Sequence, residues 1–142
     1  MSSKRQTYTS YYANCIDLAK AGIVPVSIAL YPLRGWYGLE YKKLAPTFDI
    51  LLDYKHDHDK AQYTERYKSE ILDNLDPYEV MKDIIHMAGK NHEFALVCYE
   101  RPTSFCHRHL VAEWLNKHGY PCEEFPAKLY GRQSRVVLVD EL

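Results

Sequence analysis

Short apolar runs alternate with segments of helical periodicity along this chain, and this alternation constrains the fold most strongly. The runs at 23–31 and 94–99 are short, apolar and partly β-branched, so we expect them to be buried strands. Strands that alternate with helices are typical of a parallel sheet covered by helices. The sequence therefore predicts an α/β fold: a single three-layer domain over residues 1–142, with a mainly parallel sheet, helices on both faces and a C-terminal edge hairpin.

Local signals place the remaining elements. Asp76 followed by Pro77 is typical of a helix start, and Gly89 marks the end of that helix. Apolar spacing predicts further helices at about 10–21, from 45 up to the HDHD turn at 56–59, at about 63–75 and at about 105–118. Later strands are expected at 122–125 and 135–139. Ligands in such sheets bind beyond the carboxyl ends of strands, which selects the loops after 31 and after 99.

Composition narrows the class of protein. The chain has 142 residues, 46% of them apolar, which suffices for one domain with a hydrophobic core. No run reaches the roughly eighteen consecutive apolar residues that cross a bilayer, and no apolar h-region follows the N-terminal basic residues. We therefore expect a cytoplasmic protein whose four cysteines are free thiols. The formal charge of −1 disfavours a broad nucleic-acid-binding surface, although basic residues cluster locally.

The junction between the strand at 94–99 and the following helix collects reactive residue types. Cys106, His107 and Arg108 open the predicted helix, where unpaired N–H groups and the helix dipole bind anions and favour thiolates. If Cys106 is exposed, we expect it to be a nucleophile. Its spacing to Leu110 and Trp114 places it instead on the buried stripe of its own helix, so both alternatives stay open.

Neighbouring residues extend this candidate site. Glu100 can serve as a general base or orient His107, and a surface salt bridge with Arg101 or Arg108 is the competing interpretation. The candidate catalytic residues are Cys106, His107 and Glu100. The candidate ligand-binding residues are Arg34, Trp36, Cys98, Arg101, Ser104 and Arg108.

The loop after the first apolar run supplies basic and aromatic side chains together. Arg34, Trp36, Tyr37 and Tyr41 are the residue types that stack on a nucleobase and hold its phosphate. Packing of Trp36 in the core is the competing interpretation.

Several familiar motifs are missing from the sequence. There is no GxGxxG, Walker loop, HExxH or GxSxG. Cysteine phosphatases carry an arginine six residues after the cysteine, whereas this chain has Ser104 and Ala112 at those positions. No two cysteines are two to four residues apart, as structural zinc sites require. We therefore predict neither a metal nor a cofactor.

The segment LVCYERPTSFCHRHLVAEWL at 96–115 resembles the Cys-His-Arg signature of the domain-of-unknown-function family 488. PLRG at 32–35, LAPT at 44–47, HDHD and RYKSEIL at 66–72 are similar to the YeaO-like branch of that family. These matches span roughly 23–120. Where the family has Asp-Val-Arg, this chain reads SIAL at 27–30. The resemblance implies a compact α/β domain, and it nominates Arg34, Cys98, Glu100, Cys106, His107 and Arg108.

Together these observations predict a small α/β protein that binds an anionic or nucleotide-like small molecule at the Cys-His-Arg helix start. In this hypothesis Arg108 and the first-turn amides hold the anion, Arg34 and Trp36 close over it, and Glu100 or His107 handles protons. Whether the protein is an enzyme stays open. The alternative is a non-catalytic module that binds nucleic acid or a protein partner through Tyr-rich and basic surfaces.

Overall fold

Strands and helices follow one another along the chain in an α/β order. The structure, a computed structural model, describes residues 5–99 and 105–125. The strands are β1 (Thr7–Tyr11), β2 (Ile23–Ser27), β3 (Leu39–Glu40), β4 (Glu93–Cys98) and β5 (Cys122–Glu124). The helices are α1 (Cys15–Lys20), α2 (Phe48–Asp57), α3 (Lys60–Glu70), α4 (Pro77–Ala88) and α5 (His107–Lys117). Single-turn 3-10 helices lie at Tyr12–Asn14, Lys42–Leu44 and Leu72–Asn74.

The five strands form one sheet in the order β3-β2-β4-β1-β5. Every pairing between neighbours is parallel, with Ser27 opposite Val97 and Tyr11 opposite Cys98. This confirms the predicted parallel sheet. Of the expected C-terminal hairpin, the strand at 122–125 is present as β5, and the strand at 135–139 lies outside the described residues.

The two faces of the sheet are covered unequally. Phe94 and Leu96 of β4 face the larger core, which the later helices complete. Ala95 and Val97 point to the opposite face, where Leu18 of α1 packs. The later helices contribute Ile50, Tyr67, Ile84 and Leu115 to the larger core. Helices therefore lie on both faces, which confirms the single three-layer α/β domain.

The connections that follow the adjacent parallel strands β1 and β4 run to opposite faces of the sheet. The chain leaves β1 through α1 on the smaller face, and it leaves β4 through α5 on the larger face. Crevices open where neighbouring parallel strands diverge in this way, at their carboxyl ends. The topology thus places a crevice beside Tyr11 and Cys98.

The helix expected at about 10–21 is present as the 3-10 turn Tyr12–Asn14 followed by α1, but a strand that the sequence did not predict, β1, precedes it. Thr7, Thr9 and Ser10 are buried in β1 although they are polar. Their hydroxyls donate to the Pro121 carbonyl at 2.7 Å, the Glu124 carboxylate at 2.7 Å and the Phe125 carbonyl at 2.8 Å. These hydrogen bonds satisfy the buried hydroxyl groups. The strand can therefore lie inside the sheet without an apolar run in its sequence.

The helices with clear local signals form as predicted. Asp76 caps α4 by accepting from the backbone N–H of Tyr78, and Gly89 ends it with φ 103°. The HDHD turn separates α2 from α3, with His58 in the left-handed region and Asp59 capping α3. None of the helices in the described segments is long and apolar enough to cross a membrane.

Candidate functional site

The loops after β2 and β4 meet at the carboxyl edge of the sheet. The Tyr99 hydroxyl donates to the backbone carbonyl of Tyr31 at 2.7 Å. Between the loops and helices α2, α3 and α5 lies a cavity of about 380 Å³. Its walls are formed by Ala29, Leu30, Tyr31, Pro46, Leu51, Tyr54, Tyr63, Cys98, Tyr99, Phe105, Cys106 and His107. Both loops that the carboxyl-end rule selects therefore contribute to one cavity.

Aromatic rings form much of the cavity wall. Tyr54 lies 5.4 Å from both Tyr63 and Phe105, and Tyr63 lies 5.0 Å from Phe105, between ring centroids. Burial raises the pKa of Tyr63, so its hydroxyl stays protonated at neutral pH. Tyr31 and Tyr99 are exposed at the edge of the cavity. The cavity thus offers both buried and accessible ring faces.

Cys98 and Cys106 form a disulfide in the cavity wall. This corrects the expectation of four free thiols, since only Cys15 and Cys122 are free among the described cysteines. Burial raises the pKa of the Cys122 thiol to about 11, so it stays protonated. Cys106 is buried, as its spacing indicates, but it precedes α5 as the N-cap residue instead of packing on the helical stripe.

His107 is a neutral, buried ring in the same wall. Its Nε2 lies 2.8 Å from the Ile28 carbonyl oxygen. Because a carbonyl only accepts, Nε2 carries the proton, and the lone pair of Nδ1 faces the Cys106 sulfur at 3.9 Å. Burial lowers the pKa of His107 to about 4, with the charges of Arg108 and His109 adding to this effect and the Ile28 carbonyl opposing it. The ring therefore stays uncharged at neutral pH.

Arg108 points into the protein, although the sequence suggested that it holds an external anion. Its side chain is fully buried, and two of its nitrogens donate to the Glu124 carboxylate at 3.0 and 3.1 Å. The third, Nη1, donates to the Cys98 sulfur at 3.3 Å, and the guanidinium lies 5.7 Å from the Tyr11 ring centroid. A buried charge requires such a partner, and the partner Glu124 gave no signal in the sequence. The charge of Arg108 is therefore paired with Glu124, one of its N–H groups is directed at Cys98, and none of it faces solvent.

Two lysines contact residues of the cavity wall. Lys60 Nζ is 5.9 Å from the ring centroid of Phe105, and Lys42 donates to the backbone carbonyl of Leu30. Lys42 also pairs with Glu40 at 3.1 Å. Lys60 takes part in no ion pair within the part of the chain that the structure describes. Of these two lysines, Lys60 is therefore the one whose charge has no carboxylate partner among the described residues.

A family model described as "Active DUF488-N3 subclade" matches residues 4–119. The chain belongs to the DUF488 family. The match begins earlier than the resemblance at 23–120 did, so the N-terminal segment is part of the family's domain. No curated protein and no solved structure matches the chain. The YeaO-like branch and the Cys-His-Arg signature stay predictions.

The other predicted residues of this DUF488 protein are dispersed. Trp36 packs against Tyr12 at 5.2 Å and donates through Nε1 to the Leu39 carbonyl at 3.2 Å, which agrees with core packing on the α1 face. Arg34 is exposed on the same loop and does not line the cavity. Glu100, Arg101 and Ser104 lie outside the described residues, so their roles stay predictions.

The sulfurs and the imidazole of the DUF488 site also have the donor types that soft metals take. Donor atoms of Cys98, Cys106 and His107 lie within 4.8 Å of one another. In the disulfide the two sulfurs are bonded to each other and are not available as thiolates. The arrangement seen is therefore that of a disulfide centre beside a neutral imidazole.

Proposed function

We propose that this DUF488 protein binds a small, anionic, nucleotide-like molecule in the cavity at the carboxyl edge of the sheet. The observation that carries the proposal is the aromatic lining of this cavity of about 380 Å³, beyond the carboxyl ends of β2 and β4. Ligand sites have volumes of about 300–1000 Å³ and recur at such positions in parallel sheets. We expect the protein to act in the cytoplasm, as its composition predicts.

The aromatic rings favour a planar group. Tyr99 is 48% exposed and Tyr31 is 60% exposed, so a ring that enters the cavity can stack on either of them. Stacking of a base on an aromatic side chain contributes about 1–3 kcal/mol and tolerates different bases. A nucleobase or a similar heterocycle therefore suits the cavity.

Charge at the edge of the cavity favours an anion. With Arg108 neutralised by Glu124, the cation beside the aromatic wall is Lys60, on the first turn of α3. A phosphate near Lys60 gains a charge-assisted contact while the base remains among the rings. The anion therefore belongs at the N-terminus of α3, and not at the helix start that the sequence suggested.

The test is an NMR titration of the full chain with nucleoside 5′-monophosphates, the matching nucleosides and inorganic phosphate. We expect saturable shifts at the cavity with the nucleotides, weaker binding of nucleosides and the weakest binding of phosphate. Tyr99→Leu should weaken nucleotide binding about tenfold through lost stacking. Tyr78→Leu, at an exposed tyrosine of α4 that does not line this cavity, is the matched control and should leave binding unchanged.

A second pair of variants tests the charge. Lys60→Ala should weaken binding of nucleotides more than of nucleosides, whereas Lys55→Ala, an exposed lysine of α2, should change neither. Absence of a saturable shift with any nucleotide would overturn the proposal. Salt-sensitive binding of a single-stranded oligonucleotide without nucleotide binding would favour the nucleic-acid-binding module instead.

A further inference from the structure

The two cysteines of the cavity wall occupy different environments. Cys98 ends β4 and is 1% exposed, whereas Cys106 precedes α5 and is 7% exposed. Both line the cavity, and their sulfurs are bonded to each other. A small molecule that enters the cavity therefore meets a disulfide, with Cys106 as its more accessible half.

Arg108 distinguishes the two sulfurs. Nη1 of Arg108 donates to the Cys98 sulfur at 3.3 Å. Nε and Nη2 of Arg108 donate to the Glu124 carboxylate, which holds the guanidinium in place. A disulfide sulfur is a weak acceptor, so a buried guanidinium N–H gains little from it. A thiolate at Cys98 would instead receive a charge-assisted hydrogen bond. Arg108 therefore makes its stronger hydrogen bond to Cys98 when the disulfide is reduced and Cys98 is a thiolate.

His107 stands beside the other sulfur. Its Nδ1 is an acceptor 3.9 Å from Cys106, held in that orientation by the bond from Nε2 to Ile28. A Cys106 thiol can donate to this nitrogen, which orients the sulfur in the cavity wall. Cys106 is thus oriented by a neutral ring, and a thiolate at Cys98 would accept a hydrogen bond from Arg108 and share its charge with Glu124.

We propose that Cys98 and Cys106 are a thiol–disulfide exchange centre in which Cys106 bonds to the external sulfur compound and Cys98 is the resolving and leaving thiolate. The substrate class is a low-molecular-weight disulfide or thiol. The inference rests on the proposed function only in requiring that the cavity admit small molecules.

The reaction balances in two steps. The Cys106 sulfur attacks a disulfide RS–SR, the Cys106–SR bond forms, the RS–SR bond breaks, and the departing RS⁻ takes up the proton that Cys106 loses. The Cys98 thiolate then attacks the Cys106 sulfur, the Cys98–Cys106 bond forms, and a second RS⁻ leaves as RSH with the proton that Cys98 gave up. Two cysteines lose two electrons and RS–SR gains them. In reverse, two RSH reduce the Cys98–Cys106 disulfide, and Arg108 stabilises Cys98 as the leaving group.

The test uses the reduced full chain with hydroxyethyl disulfide as the probe, followed by intact-mass and peptide-mass analysis. Cys98→Ser should accumulate a mixed disulfide on Cys106, at least tenfold more than Cys106→Ser accumulates on Cys98. The unsubstituted chain should instead return to the internal disulfide and release two thiols per probe molecule. Cys15→Ser, at the half-buried free cysteine of α1, should behave as the unsubstituted chain does. A mixed disulfide mainly on Cys98, or none in either variant, would overturn the proposal.

Two further measurements test the proposal in case a serine variant fails to fold. In the unsubstituted chain, partial reduction by mercaptoethanol and rapid quenching with acid should trap the mixed disulfide on Cys106, and trapping on Cys98 would contradict the assignment. The pH at which reduced Cys98 becomes reactive to iodoacetamide in Cys106→Ser should rise with Arg108→Met and be largely restored by Arg108→Lys. A purely structural Arg108 would leave this pH profile unmoved.

Failure of exchange is separable from failure of the proposed function. Nucleotide titration of the unsubstituted chain and mixed-disulfide formation in the cysteine variants are measured separately, so either can fail alone. Nucleotide binding without a mixed disulfide would remove only the exchange centre, whereas exchange without nucleotide binding would remove only the nucleotide-like ligand.

Discussion

Helices α4 and α5 begin in contrasting ways. At α4 the Asp76 carboxylate accepts from the backbone N–H of Tyr78 at 2.9 Å, and Pro77 opens the first turn. At α5 the N-cap residue is Cys106, whose side chain makes no capping hydrogen bond and is bonded instead to Cys98. The same structural position thus caps one helix and carries one half of a disulfide in the other. The start of α5 is held by contacts from distant parts of the chain in place of a local cap.

The largest expected effect comes from removing the ion pair that anchors the start of α5. Arg108→Met should lower the free energy of unfolding by about 3–5 kcal/mol, because the largely buried Glu124 carboxylate loses its partner. Urea denaturation monitored by circular dichroism measures the change.

Two further variants sharpen this prediction. Arg108→Met with Glu124→Gln should recover part of the loss, since no uncompensated carboxylate remains. Lys117→Met, an exposed change at the other end of α5, should stay within about 0.5 kcal/mol. A change of less than about 1 kcal/mol in Arg108→Met would mean that α5 does not depend on this long-range contact.

The next effect is a pH dependence from His107, also on the first turn of α5. Its pKa is about 4 in the folded protein against 6.5 for the ordinary group, so between these values the unfolded chain binds the proton and the folded chain does not. Stability is therefore complete above pH 6.5 and falls as the pH drops, by about 3 kcal/mol on reaching pH 4. Urea denaturation at a series of pH values measures the slope.

The matched variant for this prediction is His107→Gln, which keeps a neutral side-chain donor for the Ile28 carbonyl. It should lose most of the slope between pH 6.5 and 4. An unchanged slope in His107→Gln would assign the acid sensitivity to other groups.

A smaller effect is expected at the start of α4. Asp76→Ala removes the capping carboxylate and should cost about 1 kcal/mol in thermal or urea unfolding. Asp73→Ala, in the exposed 3-10 turn before it, should stay within about 0.5 kcal/mol. Equal effects of the two substitutions would show that α4 needs no local cap.

The smallest effect concerns a cap that α5 lacks. Under reducing conditions, Cys106→Ser should stabilise the protein by about 0.5 kcal/mol relative to the reduced unsubstituted chain, because a serine hydroxyl can accept from a first-turn N–H. Cys15→Ser should leave stability unchanged. A loss of more than about 1 kcal/mol in Cys106→Ser would show that the thiol itself holds the helix start.

Elements with local signals could be predicted from the sequence, and elements held by distant partners could not. Asp76, Pro77 and Gly89 fix the limits of α4 within the segment itself. In contrast, Thr7–Tyr11 is polar and forms a central strand because backbone and side-chain groups of residues 121–125 satisfy it. No residue near Thr7–Tyr11 in the sequence indicates that residues 121–125 are its partners.

The candidate site divides in the same way. The carboxyl-end rule located both loops of the cavity, and helical spacing indicated that Cys106 is buried. The bond between Cys98 and Cys106 and the pairing of Arg108 with Glu124 depend on how strands and helices are arranged in space. Residue types alone therefore selected the junction of β4 and α5 but did not indicate that Arg108 pairs with Glu124.

The placement of β1 has a consequence for how the chain is made. Among the described strands β1 is synthesised first, whereas its two neighbours, β4 and β5, are synthesised after all the others. Until both emerge, the backbone donors and acceptors of β1 have no sheet partner and can pair with another nascent chain. Completion of the sheet thus waits for the synthesis of β4 and β5, and until then the nascent chain is exposed to aggregation through β1.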